Sequence, residues 1–331
     1  MKVVAKRIWR YPVSLERQYA KQLTAYVKRK FSVIKDHQQE IIDLVKLYSV
    51  NLDDAELMEE ASIRIDILLD QIERDMESAE VLTKAMNNML DAVERYNKAE
   101  FDAIMKSLFG FPLREPIKQL TRTDERMDAT LDEDIATLKM TWVRQNLALI
   151  KSIDDETMRK IEDVMMERII ENVDAKLLTK YLIQDIQAIA GVELNRATLI
   201  GVDQIGKLNG RMTQYQQEHV GITEYRWRTS EDSRVRPAHQ VRDGKTYKWS
   251  NPPPDGHPGQ PIRCRCVALP VIDLDTIPIR LKDGSFKYVD WGKILNAVKT
   301  VTTVVAASQT VPGNDIITEN THEFSHDTPI E

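Results

Sequence analysis

Cys264 and Cys266, with His239 and His257 ahead of them, form the group of side chains whose types and spacing best suit chemistry. In a strand, residues two apart point to one face, so both thiols would face one way and Arg263 and Arg265 the other. Two converging thiolates chelate a soft ion, whereas a disulfide between such near neighbours would be strained. Two Cys and two His suit a closed tetrahedral zinc site, the structural kind rather than the catalytic kind. His239, His257, Cys264 and Cys266 are therefore candidate Zn2+ ligands, with Asp232 and Asp243 in the same stretch. The spacing matches no common zinc-finger template. The alternative is that the thiols are small buried apolar groups and the histidines make ordinary hydrogen bonds. A staple would serve a loop-rich β region of only about sixty residues. Cys264 with His239 would also make a nucleophile pair, but the second thiol beside it favours chelation. The sequence holds no phosphate-cradling glycine loop, no HExxH helix and no nucleophile elbow.

The elements that must position these side chains begin at Gly221, where the period of the pattern changes. From Thr223 to Thr229, Tyr225, Trp227 and Thr229 alternate with Glu224, Arg226 and Arg228, which predicts a half-buried strand. A second strand is expected over 245–249 after the Asp243-Gly244 turn, and a third over 263–270. Between them, residues 250–261 hold five prolines and two glycines and form a loop. A hairpin around Asp283-Gly284 is expected over 277–289, then a short apolar helix to Ala307 and a mobile polar tail.

Upstream the chain reads as helix. Residues 14–45 lack Gly and Pro, and Ser14 is placed to cap them. Leu57, Ala61, Ile65, Leu68, Ile72 and Met76 recur at steps of three or four, with Asp53 and Glu56 at capping-box spacing. The pattern repeats through Leu82, Met86, Met89, Val93 and Tyr96 until Gly110, Pro112 and Pro116 break it. Further helices are expected over 121–146, 154–171 and 175–190, with Gly191 as a stop before a last helix over 193–219. Trp142 is expected to pack inside, and Met158, Met165 and Met166 to fill gaps in the core.

Composition agrees with long helices: 30% of residues are charged and 6% aromatic. A net charge of -6 argues against a protein that coats nucleic acid over its whole surface. The charge is uneven, with residues 1–30 basic and residues 51–100 holding fourteen Asp or Glu. No apolar run is long enough to span a membrane, and the basic start has no apolar run after it to make a secretory signal. Two cysteines in the whole chain exclude a disulfide-built scaffold and make a reducing compartment the default.

Read in order, Trp227, Thr229, Asp232, Arg234, Arg236, His239, Gly244, Pro258, Gly259, Cys264, Arg265 and Cys266 lie within residues 221–266. This run closely resembles the signature of the phage Mu protein F-like family, the minor head proteins of tailed bacteriophages. Upstream the resemblance weakens to residues 146–153 and the Arg196-Ala197 pair, and Ile200-Gly201-Val202-Asp203 departs from the family's pattern. The resemblance implies a structural protein, not an enzyme. Its expected role is procapsid assembly inside the head, in the host cytoplasm, with few copies associated with the portal vertex. Expected partners are the portal protein, the major capsid or scaffolding protein, other copies of itself, and phage DNA, with no membrane.

The whole is expected to be α+β and predominantly helical. It divides into a helical arm over 1–140, a core over 141–275 with its small β module, and a hairpin, short helix and tail over 276–331. Around the ligands, Trp227, Thr229, Asp232, Arg236, Asp243 and Arg265 are the motif residues. Arg7, Arg10, Arg29, Lys30 and Arg234 are the candidate nucleic-acid contacts. The competing reading is a metal-dependent, HNH-like nuclease or a DNA-binding protein acting on the phage genome, because histidines, an Asp and thiols lie near several arginines. A site filled by two thiolates and two imidazoles leaves such an enzyme no open coordination position.

Overall fold

The computed structural model describes residues 2–49, 55–112, 131–171, 174–273, 276–280, 286–290, 292–294, 296 and 298. Its architecture is α+β and predominantly helical, with a small antiparallel sheet near the C-terminal end. Helix α1, Val13–Asp36, starts after Pro12 and buries Tyr19, Leu23, Tyr26, Val27 and Ile34 along one stripe. The single helix expected over 14–45 is in fact two, because the chain bends at His37 before α2, Gln38–Tyr48. The His37 ring explains the bend: its Nδ1 lies 3.3 Å from Glu40 and its Nε2 2.9 Å from Asp75. Those contacts tie the corner to the end of α3, Ala55–Asp75. Ser14 is already inside the first turn of α1, and no side chain caps that helix.

A 3-10 turn, Ala79–Leu82, leads into α4, Thr83–Phe109. Gly110 ends α4 at φ 82°, and its N–H donates to the Lys106 carbonyl in a left-handed cap. The capping box at Asp53 and residues 113–130, including Pro116, lie outside the described residues.

Two long helices form the spine: α5, Leu131–Ile170, with 40 residues, and α6, Ala175–His219, with 45. Both run through the boundaries the sequence pattern placed in them. Gly191 sits within α6, and an interior glycine costs only about 1 kcal/mol. The buried Ile189 and Glu193 on either side of it keep the helix packed. In α5, buried Ile150 and Ile153 bridge the expected gap in the same way.

Helix α1 lies along α6 at short range. A Cβ on Gly201 would stand 2.5 Å from the Ala20 Cα, so this crossing admits only glycine. One core joins Tyr19, Leu23, Met86, Val93, Trp142, Ile205 and Met212, and a second joins Ile34, Ile41, Ile65, Ile161, Met165 and Leu178. Trp142 is buried, and its indole N–H donates to the Gln204 carbonyl at 3.1 Å. Met158 and Met165 fill the second core. Between α4 and α6 the buried Asn97 amide donates to the Asn209 and Thr213 side chains at 3.0 and 2.8 Å.

The sheet has the order β1-β4-β2-β3. Its strands are β1 (Lys2–Val4), β2 (Glu224–Arg228), β3 (Thr246–Lys248) and β4 (Val267–Asp273), all antiparallel. Trp227 lies opposite Ala268, and Val4 opposite Val271. A basic start gave no sign of β1, whose three residues are too few for an alternating pattern. The third expected strand begins later than its sequence suggested: Cys264, Arg265 and Cys266 precede β4 in a loop that follows Arg263 at φ 56°. A separate hairpin pairs β5, Thr276–Arg280, with β6, Phe286–Asp290. Its Asp283-Gly284 turn and the tail beyond 298 lie outside the described residues, as does most of the short helix expected after it. Among the described residues no helix is long and apolar enough to cross a membrane.

Candidate metal centre

The cysteine loop is held from three directions. From below, α6 offers Gly210, where a Cβ would meet the Pro258 carbonyl oxygen at 2.6 Å, so the helix lets the Pro/Gly loop settle onto its backbone. Asp203, also on α6, accepts the Arg263 N–H at 3.0 Å and a Lys207 ammonium at 2.6 Å. The Ile200–Asp203 stretch that departs from the family's pattern thus holds α1 through Gly201 and the cysteine loop through Asp203. From the side, Gln217 donates to the Ala268 carbonyl at 2.8 Å and accepts from the Trp249 indole at 3.2 Å. From above, the short helix α7, Pro237–Gln240, presents His239.

These elements bring His239, Cys264 and Cys266 together, all three buried, with their donor atoms within 4.8 Å of one another. His239 Nδ1 lies 3.7 Å from the Cys264 sulfur and 3.5 Å from the Cys266 sulfur. Its Nε2 meets the Asp255 carboxylate at 3.0 Å, which fixes the ring and strengthens Nδ1 as a donor. Asp255 is also paired with Arg242, whose guanidinium stacks 5.1 Å over the Trp227 ring. Trp227 meets the His239 ring edge-on at 5.1 Å. Among the described residues its buried indole N–H has no hydrogen-bond partner, yet it favours the thiolate of Cys266.

The two sulfurs are unequal. A hydrogen bond from the Cys266 thiol, opposed by burial, holds the Cys264 thiol well below the ordinary range, helped by the Gly259 N–H at 3.5 Å. The same hydrogen bond, together with burial, raises Cys266. The pair therefore loses its first proton readily and keeps its second. A divalent ion would supply the charge that the second thiolate needs. Two sulfurs, an imidazole backed by a carboxylate and an orphaned N–H beside one sulfur make a donor set that fits a soft metal ion.

His257 stands outside this group. Its Nδ1 pairs with the Tyr225 hydroxyl at 2.9 Å, and its ring packs edge-on against Trp249 at 4.8 Å. Burial holds its pKa below the usual imidazole value. Three donors, not four, thus come together among the described residues. A cleft of about 220 Å³ runs along them, lined by Asp232, Arg234, Arg236, Arg263 and Arg265 among others.

The motif residues shape this surround. Asp243 accepts from the Thr229 N–H at 2.8 Å and from Arg228 at 2.9 Å, pinning the loop that leads to α7. Arg236 donates to the Ile262 carbonyl. Asp232 takes the Arg234 N–H at 2.9 Å and its guanidinium at 2.8 Å, with Arg265 at 3.7 Å. Burial alone would raise the Asp232 pKa, but these partners outweigh it and hold the carboxyl below its usual range. Arg265, between the two cysteines, turns away from the sulfurs and grips the buried Glu16 of α1 with both arms of its guanidinium.

Asp255, Gln217 and Gly210 escaped the sequence pattern, because nothing in their spacing ties them to the cysteines. Only the turn residues around Asp255 marked it. Of the candidate nucleic-acid contacts, Arg7 pairs with Glu100 at 3.5 Å, Arg29 with Glu77 at 3.0 Å, Lys30 with Asp154 at 3.4 Å and Arg234 with Asp232 at 2.8 Å. Arg10 is exposed, and its backbone N–H donates to Glu100.

Residues 159–269 match the family described as phage Mu protein F like protein. An uncharacterized protein of Haemophilus influenzae is 31% identical over 188 residues, 56% of this chain and 38% of the relative. The chain thus spans well under half the length of that relative. No solved structure matches the chain. The matched stretch runs from the last third of α5 into β4 and contains every residue of the cysteine–histidine group; over residues 159–269 the chain is similar to the phage Mu protein F like family.

Proposed function

We propose that the chain is a structural head-morphogenesis protein of a tailed phage, carried in the virion, whose β module is clipped by a zinc ion on His239, Cys264 and Cys266. The observation that carries this reading is the three-donor group lying wholly inside the family-matched segment. When bound, the ion would hold the cysteine loop to α7. The protein's own residues do the rest, with Asp255 orienting His239 and Arg265 tying the loop to α1. The helical body supplies the surfaces for portal, capsid or scaffolding protein during assembly in the host cytoplasm.

Three donors beside an arginine-lined cleft also favour a second reading, a metal-dependent nuclease, more than a four-ligand site would. A hydrolytic centre needs a base to take a proton from water. The carboxylate on this cleft, Asp232, is engaged by Arg234 and Arg265 and held below its usual pKa, which makes it a poor base.

Pull-down of the full chain from infected cells separates the readings when combined with a plasmid-nicking assay in Mg2+ or Zn2+. Recovery of portal or procapsid proteins without nicking is expected. Nicking abolished by His239→Ala would replace the structural reading with the enzymatic one. Elemental analysis of chelator-free protein is expected to give about one zinc per chain. Protein without stoichiometric zinc would remove the clip from the proposal.

A further inference from the structure

Besides Arg29, which pairs with Glu77, helix α1 carries exposed cations at Arg17, Lys21, Lys28 and Lys35. At about 100° per residue they fall within roughly 40° of arc, in a row about 27 Å long. None of the four has a side-chain partner among the described residues. The nearby acids are accounted for: Glu16 is buried on Arg265, and Asp36 stands at the helix end. Helix α3 shows the converse. Glu59, Asp66, Asp70 and Glu73 are exposed and without side-chain partners among the described residues. They fall within roughly 60° of arc over about 21 Å. Arg64 beside them is taken by Glu60 at 3.2 Å, and Arg74 stands at the row's C-terminal end.

Ile63 and Ile67 flank the acidic row, 53% and 59% exposed. The small Ala25 and Ser32 flank the basic row on the corresponding side. In an antiparallel pairing of the two faces, the small side chains meet the isoleucines while the charges oppose one another.

We propose that these two faces bind each other between copies of this chain, α1 of one copy on α3 of the next. The two rows differ, so the contact is head-to-tail and builds a ring or an open chain of copies. A nucleic-acid duplex would satisfy the basic row alone and leave the acidic row and its isoleucines uncovered. The inference is independent of the metal clip and of the family match.

Sedimentation velocity of the full chain tests it. Concentration-dependent association is expected at about 50 mM salt and should weaken at least about tenfold at about 500 mM, where charges beyond a few ångströms are screened. Reversing the basic row (Arg17→Glu, Lys21→Glu, Lys28→Glu, Lys35→Glu) is expected to abolish it. Reversing the acidic row (Glu59→Lys, Asp66→Lys, Asp70→Lys, Glu73→Lys) is expected to do the same. Mixing the two variants restores opposite charge at every contact and is expected to restore association, which a misfolded variant would not do. A wild-type chain that stays monomeric at low salt overturns the proposal, as does a mixture that fails to associate. So does a basic-row variant that loses binding to a 30-base-pair duplex while self-association is unchanged.

Discussion

Arg265→Met strips from Glu16, a carboxylate that is 1% exposed, its only charged partner among the described residues. In the wild type the guanidinium nitrogen Nε sits 2.9 Å from Glu16 Oε2, and Nη2 makes a second bond to the other oxygen. Charges about 4 Å apart attract by about 4 kcal/mol at an effective dielectric near 20. Breaking such a buried pair from one side typically costs about 3–5 kcal/mol, because the remaining charge is stranded. Asp232 loses less, since Arg234 still holds it at 2.8 Å. The destabilisation expected for Arg265→Met is therefore about 3–5 kcal/mol. The pair Glu16→Leu with Arg265→Met removes both charges and should come back to within about 1–2 kcal/mol of wild type. Urea unfolding followed by circular dichroism and by tryptophan fluorescence reads this out. A single variant costing under about 1 kcal/mol would show that the pair does not hold the module to α1. So would a double variant as unstable as the single.

The remaining predictions concern the ligands, the helix crossings and pH. His239→Gln and Cys264→Ser should lose the bound zinc in elemental analysis, while His257→Gln, whose ring faces Tyr225, should keep it; equal loss in all three would return His257 to the ligand set. Gly201→Ala drives a methyl into Ala20 and should lower stability by about 1–3 kcal/mol. Gly191→Ala meets nothing within 4 Å and should raise it by about 0.5–1 kcal/mol; thermal melts compare the two, and the same sign in both would contradict the packing described. At His37, burial lowers the pKa, but the hydrogen bonds to Glu40 and Asp75 outweigh it and leave it raised. Its stabilisation is then whole below the unfolded value near about 6.5 and fades as pH climbs through the raised folded value. With half-exposed partners, it amounts to at most about 1 kcal/mol. Urea midpoints compared at about pH 5.5 and pH 8.5 should show that loss in the wild type and less of it in His37→Gln.

Much of this fold was legible because its helices are amphipathic over many turns. Ala61, Ile65, Leu68 and Ile72 were placed on the buried face of α3 by spacing alone. Boundaries were less legible, because local signals lost to packing: Gly191 did not stop α6, and His37 split α1 from α2 through contacts with Asp75 that no local pattern records. At the site, the convergence of Cys264 and Cys266 on His239 was readable from residue types, although the thiols sit in a loop and not on a strand. The geometry that sends His257 to Tyr225 and brings Asp255 behind His239 was not, since both depend on how residues 250–261 fold over α6.

The pairing of β1 with β4 has a consequence for the order of events during synthesis. Val4 finds its partner only when Val271 has left the ribosome, so the N-terminal strand must wait while the whole helical body emerges and packs. Closing so long a loop is an entropic toll collected late, after the local helices have formed. Until then, the strand at Val267–Asp273 keeps an open edge of the kind that invites pairing with a neighbouring chain. Removal of residues 2–4 would leave that edge of β4 open in the finished protein and favour aggregation at the sheet rather than at the helices.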